Sequence, residues 1–155
     1  MEADIVDDFE KSLNHVLVEV FNLILKYEES MLKRTLDVSL TITETHTIEA
    51  IGRQGDMGIS VSEIASLLSI TMPTATVAIK KLESKGFIKK AHCESDGRRT
   101  IISLTDSGKR VEKAHHLFHE KMVRHISGQF IEAEKVVLLN AVNKLREFFK
   151  EKVEA

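Results

Sequence analysis

The feature that most constrains this chain is the order of start, turn and stop signals between Ser60 and Thr105. Ser60-Val-Ser-Glu63 is a capping-box pattern: the Ser hydroxyl can accept from the backbone N–H three residues on, while the Glu carboxylate reaches back to the Ser N–H. It predicts a helix with an apolar stripe of Ile64, Ala65, Leu67 and Leu68. Thr71-Met-Pro-Thr74 restarts the chain, with Thr71 as cap and Pro73, the single proline, in a first turn that needs no N–H. A second helix is therefore predicted over 72–85, with Ala75, Ala78, Ile79 and Leu82 turned toward the first. Two short strands follow, 86–92 and 99–104, around the turn signal Asp96-Gly97. Helix, sharp turn, helix and basic hairpin is the order of a winged helix-turn-helix.

The flanks are helical. Ile5, Phe9, Leu13, Val16, Leu17, Val20, Phe21, Ile24 and Leu25 recur at spacings of three and four, predicting an amphipathic helix from Asp4 to Met31. A loop around Lys33 to Leu40 leads to a second capping box, Thr41-Ile-Thr-Glu44, and a helix through Gly52. Glycines 52, 55 and 58 mark an irregular connection. Beyond the hairpin, Thr105-Asp-Ser-Gly108 opens a helix ending near Ser127-Gly128, and a last helix spans Glu132 to Glu154. The fold class is mainly α with a small antiparallel β wing: residues 35–105 form a winged helix-turn-helix domain, and 1–34 with 106–155 form a helical dimerisation region. Terminal helices with apolar faces this broad suit a homodimer interface, the alternative being a monomeric bundle in which the same faces meet.

Charge supports a nucleic-acid partner only when divided along the chain. Residues 60–105 hold seven Lys/Arg against four Asp/Glu, a net of +3; since the whole chain carries −2, the remainder carries −5. On the second helix, Pro73, Thr74, Thr76, Val77, Lys80 and Lys81 lie opposite the packing residues. Thr and Val suit thymine methyls in the major groove, and the lysines suit phosphates. Asp96, Arg98 and Arg99 sit at the hairpin tip, where an arginine can enter the minor groove and Asp96 can hold its guanidinium.

Other classes find little support. No stretch approaches a membrane span, the acidic N-terminus lacks the start of a signal peptide, and a single cysteine, Cys93, excludes an internal disulfide. A cytoplasmic protein without a membrane partner is expected. There is no phosphate loop, no nucleophile elbow and no paired-carboxylate setting, so no enzyme and no catalytic residue are expected. A protein–protein adaptor on the same scaffold would keep the apolar pattern without needing Lys80 or Arg98.

Val61-Ser-Glu-Ile-Ala65, Leu82-Glu-Ser-Lys-Gly-Phe-Ile88, Asp96-Gly-Arg98 and Ile102-Ser-Leu-Thr-Asp-Ser-Gly108 together resemble the MarR-type winged-helix regulators, in family order and spacing. The resemblance implies a homodimer built from the terminal helices, a recognition helix at 72–85, a palindromic double-stranded DNA operator, and a wing whose Arg98 meets the minor groove. Many members carry a basic or polar residue where this chain has Val77. Phe21-Asn-Leu-Ile-Leu25 with Glu28-Glu29, Thr43 to Gly52, and Phe118 to His125 resemble the FabT-type subgroup, the fatty-acid-synthesis repressors. That likeness implies a repressor of fatty-acid synthesis genes with long-chain acyl-acyl carrier protein as co-repressor and no required cofactor. The zinc-responsive branch resembles the chain at Glu29, His46, His115 and His119, which implies a zinc site of one carboxylate and three imidazoles. The competing reading of those four residues is a hydrogen-bonded cluster without metal.

Overall fold

The computed structural model describes residues 2–92 and 100–154. The elements are α1 (Glu2–Leu36), α2 (Ile42–Gly52), a single 3-10 turn (Gly55–Met57), α3 (Val61–Leu67), α4 (Met72–Ser84), β1 (Ile88–His92), β2 (Thr100–Leu104), α5 (Asp106–Ser127) and α6 (Glu132–Glu154). Strands β1 and β2 pair antiparallel from Ile88↔Leu104 to His92↔Thr100. The mainly helical class with a two-stranded wing is thus observed.

Both capping boxes form. The Thr41 hydroxyl accepts from the Glu44 N–H while the Thr41 N–H donates to the Glu44 carboxylate, and Ser60 with Glu63 repeats the arrangement. Thr71 caps α4, with Pro73 in the first turn. The sharp turn between α3 and α4 is a Schellman closure: the Ile70 N–H donates to the Ala65 carbonyl and the Ser69 N–H to the Ser66 carbonyl. It places Ser69 at φ +51°, the left-handed region where glycine would be the easier residue. α4 ends in the same way through Gly86 at φ +77°.

Several boundaries differ from the sequence expectation. α1 runs to Leu36, not Met31, because Leu32 is buried and Leu36, one turn on, packs against the same core; Asp37 then turns left-handed at φ +52°. Leu67, expected in the α3 stripe, is exposed, while Ile64 and Ala65 carry the burial. The strands begin at 88 and 100, later than periodicity suggested. The glycine-rich connection also pairs with the wing. Ile59 and Ile102 exchange backbone hydrogen bonds of 2.9 Å, and a Cβ on Gly58 would lie 2.7 Å from the Ile102 carbonyl oxygen. Gly108 has the same necessity, since a Cβ there would run into the Phe87 carbonyl oxygen.

The chain divides into two compact units, Met1–His116 and Leu117–Ala155, so the division falls inside α5. In the first unit the core is built from α2, α3, α4 and the wing, and Leu32 of α1 and Val111 of α5 join it. Leu32 and Val111, from the segments expected to form the helical dimerisation region (1–34 with 106–155), are thus part of this core. The apolar side of α1 is open beyond that point: Phe9, Val16, Val20 and Phe21 are exposed. In the second unit, Val136, Val137, Leu139, Val142, Phe148 and Phe149 of α6 are exposed as well. Among the described residues, no single helix is long and apolar enough to cross a membrane.

Candidate functional site

α4 has two opposed faces, as its sequence requires. Ala75, Ala78, Ile79 and Leu82 are buried, which fixes the rotation of the helix. At 100° per residue, Pro73, Val77 and Lys80 lie roughly 150–170° from the mean direction of those four. All three are exposed, with Thr74 and Lys81 on the flanks and Thr76 half-buried. Asp96, Arg98, Arg99 and Cys93 lie outside the described residues.

The basic residues of this segment divide into two groups. The Lys85 Nζ donates to Glu44 Oε1 and Oε2 at 2.9 and 2.8 Å and to the Ser39 carbonyl at 3.2 Å. Glu44 is itself buried, and its carboxylate also receives the Thr41 N–H at 2.8 Å. One side chain thus closes the α2 capping box and ties the C-cap of α4 to it. Burial opposes ionisation of Glu44, but the hydrogen bonds from Lys85 and Thr41 outweigh it and hold the carboxyl below its ordinary value. Lys90 of β1 pairs with Glu83 of α4. Both lysines contribute to the +3 of residues 60–105, yet in the structure both are spent on carboxylates at the C-terminal end of α4 or beside it. Lys80 and Lys81 remain exposed on α4.

A second constellation lies at the junction of α1, α2 and α5 within the first unit. Glu28, His46 and His115 each offer a ligand atom, all within 4.8 Å of one another. Glu28 Oε1 lies 2.8 Å from His115 Nε2 and 3.5 Å from His46 Nε2, and His115 Nδ1 lies 3.8 Å from Glu49 Oε2. Glu28 and His115 are about 1% and 2% exposed, whereas His46 opens to solvent. Burial alone would raise the Glu28 carboxyl; hydrogen bonds from His115 and His46 outweigh it and hold it at about 2. The same bond raises the His46 imidazole above its ordinary value against its own burial.

The carboxylate here is Glu28, where the sequence reading named Glu29. Successive helical residues point about 100° apart. With Leu32 buried one turn on, the inward face of α1 passes through Glu28, and Glu29 is exposed. The i, i+4 relation between Glu28 and Leu32 was the signal that separates the two. His119 belongs to the second unit, where it lines a surface cavity of about 470 Å³ with Glu120, Val123, Arg124 and Ser127. One carboxylate and two imidazoles are a donor set that fits zinc, and three protein ligands leave room for a further one.

Comparison with known proteins agrees with this fold. Residues 40–100 match the MarR family. The structure of Streptococcus pneumoniae FabT in complex with DNA superposes with a TM-score of 0.85 at 30% identity, covering 92% of this chain and 98% of that one. The transcriptional regulator ZitR of Lactococcus lactis subsp. cremoris is 28% identical over 117 residues, 74% of this chain and 79% of its own. The transcriptional regulator AdcR of Streptococcus pneumoniae is 26% identical over 134 residues, 84% and 88%. A Staphylococcus aureus MepR–DNA complex shares the fold with a TM-score of 0.73 at 22% identity, covering 88% of this chain and 97% of that one. With its capped helix-turn-helix, paired wing and helical flanks, this chain belongs to the MarR family of winged-helix transcription regulators, not to a family of enzymes.

Proposed function

We propose that the chain acts as a homodimeric, DNA-binding repressor that places α4 of each protomer in successive major grooves of a palindromic operator, about 34 Å apart. The observation that carries the reading is the division of α4: four buried residues lock one face, and Pro73, Val77 and Lys80 present the other. On this reading Thr74 and Thr76 complete the base-facing surface, Lys80 and Lys81 meet phosphate, and Asp96, Arg98 and Arg99 form the wing tip. The exposed apolar residues of α1 and α6 support the homodimer, because they are surface that a second copy would bury. Repression of fatty-acid synthesis genes, with long-chain acyl-acyl carrier protein as co-repressor, is the finer form of the proposal. It rests on the FabT-type residues and on the likeness to FabT along nearly the whole chain. Selection of bound duplexes from a random library, followed by titration with acyl-acyl carrier protein, tests both parts. Affinity that rises with the acylated carrier supports the co-repressor, indifference to it leaves a repressor with another effector, and failure to enrich any duplex favours a winged-helix adaptor.

The histidine cluster favours a second reading, a zinc-responsive regulator. Glu28, His46 and His115 would hold the ion, whereas His119, the fourth position expected from the sequence, lies in the second unit. The ion would supply a fixed link between α1, α2 and α5. Zinc retained by untagged protein, together with a zinc-dependent change in DNA affinity, is the result expected on this reading.

A further inference from the structure

We infer that the recognition helix reads thymine methyl groups through Val77, by apolar contact in the major groove. The inference rests on the DNA-binding reading of α4 and concerns how that face selects a base.

Three observations lead to it. First, Val77 sits mid-helix on the face opposite the core and is 53% exposed, although the four buried residues around it leave the helix fully anchored without it. Second, the threonine hydroxyls beside it are partly engaged within the helix. The Thr76 Oγ1 donates its one proton to the Met72 carbonyl at 2.8 Å, so it has none for the O6 or N7 of guanine, the N7 of adenine or the O4 of thymine. The Thr74 and Thr71 hydroxyls share one hydrogen bond of 2.9 Å, which uses one of their two protons, while Thr71 caps the helix. Third, Pro73 beside them offers a ring and no N–H. Val77 therefore presents two exposed methyls, with the exposed Pro73 ring one turn before it. Lys80 and Lys81 are long, flexible single charges suited to phosphate.

In the major groove the one outward carbon group on a base is the 5-methyl of thymine. Uracil keeps the O4 acceptor and the pairing edge and lacks only that methyl, which makes it a selective probe. The experiment takes a duplex selected by the wild-type chain from a random library and compares it with the same duplex synthesised with deoxyuridine for every thymidine, then with single-position replacements. Anisotropy titrations at fixed salt are run with wild type and Val77→Ala. Losing one apolar contact of methyl size weakens binding about fourfold, so one methyl in each half-site gives about fifteenfold for the wild type. Val77→Ala should bind the thymidine duplex more weakly and lose most of the discrimination. Equal affinity of the wild type for both duplexes overturns the inference. So does a full deoxyuridine penalty retained by Val77→Ala, which would place methyl reading on another residue. Failure to enrich any duplex is distinct from either result: it removes the DNA-binding reading and this inference with it.

Discussion

The Glu44–Lys85 pair offers a quantitative test of how the recognition helix is held. Glu44→Gln removes the charge but keeps a side chain able to accept the Thr41 N–H, so the α2 capping box persists and the ion pair is isolated. Lys85→Met removes the other partner and retains most of its apolar stem. A hydrogen-bonded pair with one fully desolvated member contributes about 1.5–3 kcal/mol. The Lys85 side chain is 38% exposed, and solvent screening brings the expected coupling down to about 1–2 kcal/mol. A double-mutant cycle by urea denaturation at one protein concentration measures it directly. Each kcal/mol should also move the melting temperature by about 2–4 °C for a chain of this length. The pH dependence has a definite sign. The Glu44 carboxyl is lowered from 4.5 in the folded chain, so the coupling is complete above that value and declines as pH falls through the lowered one. DNA affinity should fall in both single variants, because Lys85 closes α4. A coupling under about 0.3 kcal/mol at pH 7, or one unchanged between pH 7 and pH 3, would refute the reasoning.

Three further outcomes are expected. With a chelator present, Glu28→Gln should destabilise the protein while Glu29→Gln leaves it unaffected. The drop of the Glu28 carboxyl from 4.5 to about 2 sets a ceiling of about 3 kcal/mol, present above pH 4.5 and lost on acidification toward pH 2, read by thermal melts across that range. Lys80→Ala should weaken all duplexes alike and lower the slope of log affinity against log salt by about two per dimer, whereas Arg98→Ala should weaken binding with little change in melting temperature. Phe21→Glu, on the exposed side of α1, should shift sedimentation toward monomer with the helical circular dichroism of the first unit retained.

Much of this architecture was legible because its signals are local. A capping box spans four residues, an amphipathic stripe repeats every three or four, and Pro73 restricts its own turn. Such features predicted α2, α3, α4 and the packing set Ala75, Ala78, Ile79 and Leu82, all of which the structure buries. Ser69 escaped notice because its left-handed φ is imposed by closing α3 onto α4, a position where sequence would lead one to seek glycine. The extra pairing of Ile59 with Ile102 was equally hidden, since a two-residue bridge across 43 positions of chain leaves no periodic trace.

By itself, then, the sequence determined which segments are helical, where the capped ones start, and which face of α4 is apolar. Only the tertiary structure decided which charges meet. Glu44 and Lys85 are 41 residues apart and Glu28 and His115 are 87 apart, and each meeting depends on the rotational phase of two helices at once. A one-residue step turns a side chain by about 100°, enough to exchange buried Glu28 for exposed Glu29. Periodicity fixes the apolar face of a helix to within a residue or so. The core, by burying Leu32 and Val111 alongside α2 and α4, fixes it to the atom.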